Sequence, residues 1–301
     1  MVPSRTLSTS PPHALVAWLS RRLRLSREAG PLHAHDPRGS EALRRLLQED
    51  HVRALLAGPR YTGTTRLNRF EHQVFSQNGE DGILREIFRR IGTTDRTFLE
   101  FGVGDGQRNN TTFLLAQGWR GWWIEGNQRS TAAIRRAFAR PLAGSQLALL
   151  HWMVTAENIA EAFRRLQVPA EIDLLSLDID RNTWHVLAAT LPIVRPRVLV
   201  VEYNATYPAD VDWKVEYAAD RWWDRTSYFG ASLKAFQRLG EQHGYALVGC
   251  ELSGVNAFFV RRELCGDRFE APFTADNHYE PARYYLARTH GHPPNFSDLT
   301  G

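Results

Sequence analysis

The spacing of apolar residues changes near residue 70. From there, EDGILREIFRRIG sets Ile83, Leu84, Ile87, Phe88 and Ile91 on one helical face and ends at Gly92, so the pattern predicts a helix stopped at that glycine. Short apolar runs of strand length follow in TFLEFG, GWWIE, LALLHW, IDLLSLD and RVLVVEY. Helical spacing fills the intervals around Ser130 to Ala139, Ala156 to Leu166 and Asn182 to Leu191. Such alternation predicts an α/β fold with a parallel sheet covered by helices on both faces. Near the end, YALVGCELSGVNAFFVRREL reads as two strands about a short turn, an antiparallel hairpin closing an otherwise parallel sheet. Before residue 65 the pattern is different. LSRRLRLSR and LRRLLQEDHVR interleave arginine with leucine at helical spacing, and REAGPLHAHDPRGS between them reads as a linker. The expected organisation is a basic helical extension over 1–65, a core domain over 66–270 and a tail over 271–301.

Composition narrows the class without naming a chemistry. The 301 residues are 43% hydrophobic and 23% charged, a profile of folded globular protein. Cys250 and Cys265 are the only cysteines, so no disulfide framework is expected and a reducing compartment is the default. No apolar run approaches the roughly 20 residues needed to span a bilayer, and the start of the chain lacks a signal-peptide core with a cleavage site. The expectation is cytoplasmic. The net charge of +4 is small and gathers near the start of the chain. Amphipathic helices with a solvated basic face account for it, set beside attachment to a membrane surface, with nucleic acid disfavoured. Nothing in these residues specifies an oligomeric state.

The chemistry concentrates behind the first core strand. FLEFGVGDGQRNNT puts Gly102, Gly104 and Gly106 directly after an apolar run that carries Glu100. Without Cβ atoms, such a loop turns sharply and lets a ligand approach the backbone. Open parallel sheets bind ligands beyond the carboxyl ends of their strands, where strand order reverses, and this loop belongs there. A dinucleotide-phosphate loop reads G-x-G-x-x-G, whereas here the third glycine comes one position early and position 107 is glutamine. An acid followed by G-x-G-x-G instead suits a nucleoside that carries an amino acid and no phosphate. Glu125 closes the next strand about 20 residues on, where a carboxylate can accept from both ribose hydroxyls. A plain strand-to-helix turn is the competing reading of the glycines.

EFGVGDG with IEGN resembles the S-adenosylmethionine site of class I methyltransferases, whose Rossmann-like sheet ends in an antiparallel hairpin. SQNGEDGIL, NNTTFLLAQGWRGWWIEGN, LLSLDIDRNTWHVL, VVEYNA and YFGASLKAF together are similar to FkbM-type methyltransferases, over about Phe70 to Leu264. The resemblance implies that Glu100, Gly102, Gly104, Asp105 and Gly106 cradle the methionine end of the cofactor, that Glu125 and Asn127 serve its ribose, and that Asp178 borders it. Thr155 suits a helix cap better than an adenine contact. Gln77 and Glu80 either line the cofactor mouth or begin a helix.

Asp178 and Asp180 end one strand and Glu202 with Asn204 the next, so all four converge on one crevice with the methyl acceptor. Transfer to a hydroxyl needs the oxygen aligned behind the sulfonium carbon and its proton removed. Asp180 is the first candidate for that carboxylate, Glu202 the second and His185 the third, although a helix surface equally accounts for His185. The same oxygen-rich set suits magnesium or calcium, but nothing fixes its ligand distances and no metal ligand is assigned. Where the family reads D-I-D-G-N-D, this chain has DIDRNT. Arg181 either obstructs a backbone approach or binds an anionic acceptor. The segment ATYPADVDWKVEYAADRWWDRTSYFG, with Tyr207, offers aromatic faces and acids for a sugar or glycan-like acceptor, or simply packs on the core. The expected activity is methyl transfer to a hydroxyl of a small acceptor. A non-catalytic binding protein on the same fold and a nucleotide-dependent oxidoreductase are the alternatives. HGH near the end, with His278 before it, reads as tail rather than metal site.

Overall fold

The computed structural model describes residues 37–286 and Phe296, with side chains from Glu41 onward; LSRRLRLSR, His290 and His292 lie outside the described residues. Two compact units are distinguished, Met1–Glu49 and Asp50–Gly301. The described part of the first is helical and opens α1 (Pro37–Leu56), where Arg45 pairs with Glu41 one turn away at 2.7 Å. Leu43, Leu46 and Leu47 on this helix are exposed.

The second unit contains one seven-stranded sheet. Its strands are β1 (Thr97–Phe101), β2 (Arg120–Glu125), β3 (Leu147–His151), β4 (Glu171–Leu177), β5 (Arg195–Glu202), β6 (Tyr245–Cys250) and β7 (Asn256–Arg261). Their order is β3-β2-β1-β4-β5-β7-β6. The first five run parallel, and β7 is antiparallel to both β5 and β6. This is the mostly parallel α/β sheet expected from the alternation, with its antiparallel hairpin at the C-terminal end. The order reverses between β1 and β4, which opens a crevice at their carboxyl ends.

The sheet is covered on both faces because its central strands are apolar on both. Every residue of β1 is buried. Phe98, Trp123 and Leu174 pack with α2 (Glu80–Ile91), α3 (Thr112–Ala116), α4 (Gln128–Ala137) and α5 (Ala139–Ala143). Leu99, Ile124 and Leu175, one position further along their strands, pack with α6 (Ile159–Leu166), α7 (Thr183–Thr190) and α8 (Leu233–Gln242). Helix α2 ends where its sequence predicts, with Gly92 at φ +70°. Helix α6 begins three residues beyond the expected Ala156, and Thr155 and Asn158 bond reciprocally in the turn ahead of it. Thr155 Oγ1 accepts from the Asn158 N–H at 3.3 Å, and Asn158 Oδ1 accepts from the Thr155 N–H at 2.9 Å.

Residues on both sides of the expected 66–270 limits pack within this unit. Tyr61 Oη donates to Glu280 Oε2 at 2.8 Å, Arg66 donates to the Asn277 carbonyl at 2.9 Å, and Tyr203 Oη donates to the Glu280 carbonyl. His278 is buried and its ring contacts the Glu270 carbonyl at 3.0 Å, so it is a packed side chain. Among the described residues no helix is long and apolar enough to cross a membrane.

The segment SQNGEDG is folded by its own acids. Asp81 Oδ2 accepts the main-chain N–H groups of Val74, Phe75 and Ser76 at 2.8, 2.7 and 2.9 Å. Glu80 accepts from the Asn78 N–H at 2.7 Å and from Asn256 Nδ2 at 2.8 Å. These bonds hold Gln77 and Asn78 beside the crevice. Replacing Asp81 by alanine removes the acceptor for three main-chain donors, and each buried donor left unpaired costs about 1 kcal/mol or more. Urea unfolding of Asp81→Ala is expected to show a loss of about 3 kcal/mol; a loss under about 1 kcal/mol contradicts this account of the loop.

Candidate active site at the carboxyl edge of the sheet

Each glycine of the loop behind β1 has its own physical reason. Gly102 has φ +70°, and a Cβ there would stand 1.6 Å from the Asp178 carbonyl oxygen. The turn therefore lies directly on the end of β4. Gly106 has φ +79°, and its Cβ would meet Phe138 at 2.7 Å and Trp123 at 3.0 Å. Gly104 has φ +61° and nothing within 4 Å of a Cβ, so its Cα faces open space. The first and third glycines close the protein on itself, and the second faces the crevice.

Two acids hold this loop in different ways. Glu100 is buried and accepts from Asn109 Nδ2 at 2.6 Å, the Asn110 N–H at 2.9 Å, the Thr111 N–H at 3.1 Å and Ser176 Oγ at 3.1 Å. The Thr111 hydroxyl also donates to it. Burial pushes its pKa up to about 7, against the pull of these hydrogen bonds. Glu125, at the end of β2, takes one bond on each oxygen: Gly104 N–H at 2.7 Å and Asn127 N–H at 2.7 Å. A carboxylate has about four lone-pair sites, so Glu125 keeps acceptor capacity toward a ligand that Glu100 does not. Asn127 caps α4, its Oδ1 accepting from the N–H groups of Arg129 and Ser130 at 2.9 and 3.1 Å.

The crevice has two lobes that share Gly102, Gly104 and Asp178 as common walls. The smaller, about 320 Å³, is lined by Gln77, Glu80, Asp105 and Arg108 among others. The larger, about 660 Å³, is lined by Glu125, Asn127, Met153, Asp180, Asn182 and Trp222. Asp105 directs both oxygens to Gln107, at 3.1 Å each.

At the ends of β4 and β5, one carboxylate oxygen from each of Asp178, Asp180 and Glu202 falls within 4.8 Å of the others. Burial first, then the charge of Asp180, raises the Asp178 pKa to about 6. Burial first, then Asp178 and Asp180, drives that of Glu202 well above the usual carboxylate range. Glu202 lines neither lobe, whereas Asp178 lines both and Asp180 the larger.

Besides Glu202 and Gly106, which line neither lobe, four further expected site residues are not brought to the crevice. Arg181 is 7% exposed, its guanidinium lying over the Tyr228 ring at 5.2 Å and donating to the Glu216 carbonyl at 3.2 Å. His185 Nε2 contacts the Val215 carbonyl at 2.8 Å, and burial lowers its pKa, so the ring is a neutral donor there. Asn204 Nδ2 donates to the carbonyls of Ser227 and Phe229 at 2.8 and 2.9 Å. Tyr207 stacks on Trp213 with ring centres 4.2 Å apart. All four brace the long segment after β5, while Trp222 from that segment reaches the larger lobe and is 64% exposed. Arg108 and Met153 line the crevice without having been singled out in the sequence, whereas Trp222 belongs to the aromatic segment quoted there.

No protein-family model and no curated protein matches the chain. Among solved structures it is similar to a putative caffeoyl-CoA O-methyltransferase from Staphylococcus aureus, at a TM-score of 0.43 and 13% identity, over 80% of this chain and 98% of that one. It is also similar to the N-terminal domain of EvdMO1 solved with SAH and D-fucose, at a TM-score of 0.39 and 15% identity, over 73% and 96% of the two chains. An S-adenosylmethionine-dependent methyltransferase from Clostridium acetobutylicum aligns at a TM-score of 0.37 and 11% identity, over 59% of this chain and 88% of that one.

The glycines separate stability from binding. Gly102→Ala meets a carbonyl and a positive φ together, and is expected to lose about 3 kcal/mol or more in urea unfolding. Gly104→Ala meets only the backbone cost of about 1 kcal/mol, and its methyl group enters the crevice. Similar stability losses in the two variants would count against this division.

Glu100 makes stability depend on pH. Its folded pKa of about 7 lies above the ordinary 4.5, so between those values the folded state binds more protons than the unfolded state. Its contribution to stability therefore falls as pH rises from about 4.5 to 7. Urea unfolding at pH 5 and pH 8 is expected to show a shallower fall in Glu100→Gln than in the unaltered protein; parallel falls contradict the assignment.

Proposed function

We propose that this chain binds S-adenosylmethionine in the two-lobed crevice and transfers its methyl group to a hydroxyl of a small sugar or glycan-like acceptor. The carrying observation is the open Cα face of Gly104, held by its N–H on Glu125, at the topological switch point. A Cβ would fill the cradle there, and Glu125 retains acceptor capacity for a ribose diol. The nucleoside then occupies the larger lobe along Glu125 and Met153, and the amino-acid end the smaller lobe past Gly102. The FkbM-type assignment rests on the sequence motifs, and a cytoplasmic location on two free, buried cysteines.

The bound cofactor supplies an electrophilic methyl group on a sulfonium. Asp180, on the wall of the larger lobe, orients the acceptor hydroxyl and takes its proton as the O–C bond forms, the S–C bond breaks and a neutral thioether leaves. Asp178 stands beside it, and burial with the charges of Asp178 and Asp180 pushes the Glu202 carboxyl up, which favours its neutral form and limits the negative charge of the cluster. Trp222 offers an exposed indole on the lobe that Asp180 also lines, the combination of apolar face and hydroxyl acceptors that suits a sugar ring. The approach of three carboxylate oxygens within 4.8 Å favours a second reading, a divalent ion that acidifies the acceptor.

Thermal unfolding with S-adenosylmethionine, S-adenosylhomocysteine and NAD tests the cofactor. At about 100 times the dissociation constant, a ligand adds about 2.7 kcal/mol and shifts the midpoint by several degrees. The two S-adenosyl ligands are expected to stabilise and NAD is not; absence of any shift with both sinks the methyltransferase reading. Asp180→Asn is expected to lower methyl transfer about 100-fold or more while leaving S-adenosylhomocysteine binding intact. Activity that survives exhaustive chelation excludes the metal reading.

A further inference from the structure

Helix α1 carries three leucines that the rest of the described chain leaves uncovered. Leu43, Leu46 and Leu47 stand at i, i+3 and i+4, so they share one helical face, and they are 55%, 59% and 62% exposed. Further along the same helix Val52, Leu55 and Leu56 pack with Tyr61, Leu252 and Leu286, the ordinary fate of apolar residues on a helix. Of the three acids of α1, Glu41 and Asp50 are paired with Arg45 and Arg53 at 2.7 and 2.9 Å, whereas Arg44, next to Leu43 in the chain, is exposed. In the sequence, residues 1–49 hold eight arginines and four acids, a net charge of +4 that equals the charge of the whole chain, so the remainder is neutral overall. Four of those arginines follow an apolar run in ALVAWLSRRLRLSR, which lies outside the described residues.

We propose that α1, with the arginine-rich segment ahead of it, lies on an anionic phospholipid surface, its leucines entering the acyl boundary and the arginines meeting headgroup phosphates. The chemistry of the face selects this occupant. An apolar stripe alone suits many partners, but leucines bordered by arginine in the one net-positive part of the chain call for apolar depth and negative charge together, which an anionic bilayer interface supplies. A second copy of this chain in a two-fold pairing would set the same basic segments against each other. A helix with three apolar positions and a polar remainder lies in the interface plane rather than crossing it. The attachment is independent of what the crevice binds, and it gives the chain access to acceptors held at a membrane surface.

Co-sedimentation of the full chain with vesicles tests the proposal, using phosphatidylcholine alone and phosphatidylcholine with about one-third phosphatidylglycerol. Binding is expected to be about tenfold or more stronger on the anionic vesicles and to weaken as sodium chloride is raised. The triple variant Leu43→Gln, Leu46→Gln and Leu47→Gln keeps every charge and a similar helix propensity, and is expected to lose about tenfold or more of that binding. Its thermal midpoint without vesicles is expected to match that of the unaltered protein, because the replaced leucines are exposed. Absence of binding to anionic vesicles, or equal binding to both kinds, overturns the proposal, and so does full binding by the triple variant, which assigns the attraction to charge alone. A midpoint lower by several degrees in the variant shows the leucines packed within the chain. An oligomer in sedimentation equilibrium that the variant dissociates assigns the face to a second copy. Either of these results also overturns it.

Discussion

The contact on which the site depends is that of Gly102 with the carbonyl of Asp178. At 1.6 Å from where a Cβ would stand, the chain leaving β1 has no freedom to carry a side chain or to relax into ordinary φ. The contact ties the end of β1 to the end of β4 at the one place where strand order reverses. Gly102 N–H donates to the Ile124 carbonyl at 3.2 Å, so the same turn is also joined to β2. Three strand ends are thus brought together, and the crevice opens where the loop arches over them. The packing of Gly106 against Trp123 and Phe138 completes the arch, leaving Gly104 as the glycine whose missing side chain is open space.

Buried carboxylates then turn this arch into a fixed surface. A carboxylate in a low-dielectric setting is costly unless it accepts hydrogen bonds, and backbone N–H groups are the nearest donors in a glycine loop. Glu100 is saturated by five donors and acts inward, fixing the turn that leads into α3. Glu125 holds only two and acts outward, with its remaining capacity toward the larger lobe. Asp81 does for the SQNGEDG loop what Glu100 does for the glycine loop. The acids at the ends of β4 and β5 differ in kind. They approach one another without a cation among the described residues, and their mutual repulsion adds to burial in raising the pKa values of Asp178 and Glu202.

The sheet was legible because its signals are local. Apolar strands, helices at 3.6-residue spacing and terminal glycines recur at intervals short enough to read without tertiary knowledge, and parallel strands deliver their ends to one edge. Hence Glu100, Glu125, Asp178 and Asp180 could be placed near the crevice from sequence. What sequence could not supply is the direction of a side chain beyond a strand end. Glu202 stands one strand over from Asp178 yet lines neither lobe, and Asn204 turns its amide onto the carbonyls of Ser227 and Phe229, over twenty residues away. His185 and Tyr207 likewise find partners in the segment after β5, which has no periodicity to announce its path.

Arg181, where the FkbM-type pattern that the sequence resembles has glycine, bears on the alternative reading of this chain as a non-catalytic binding protein. Had that position required positive φ, an arginine would be strained, but the left-handed residue is Asp180, at φ +57°, one place earlier. Arg181 lies in a 3₁₀ turn and carries its guanidinium away from the crevice, to Tyr228 and the Glu216 carbonyl. Its neighbour Asn182 donates to the Ala218 carbonyl at 2.9 Å, and His185 meets that of Val215. Three side chains from one short stretch therefore grip the segment that presents Trp222 to the larger lobe. The departure also puts Thr183 where the pattern has its last acid, but Asp178 and Asp180 both remain on the walls. Arginine there supports the wall of the larger lobe from behind, which is a change in how that wall is held and leaves its acids in place.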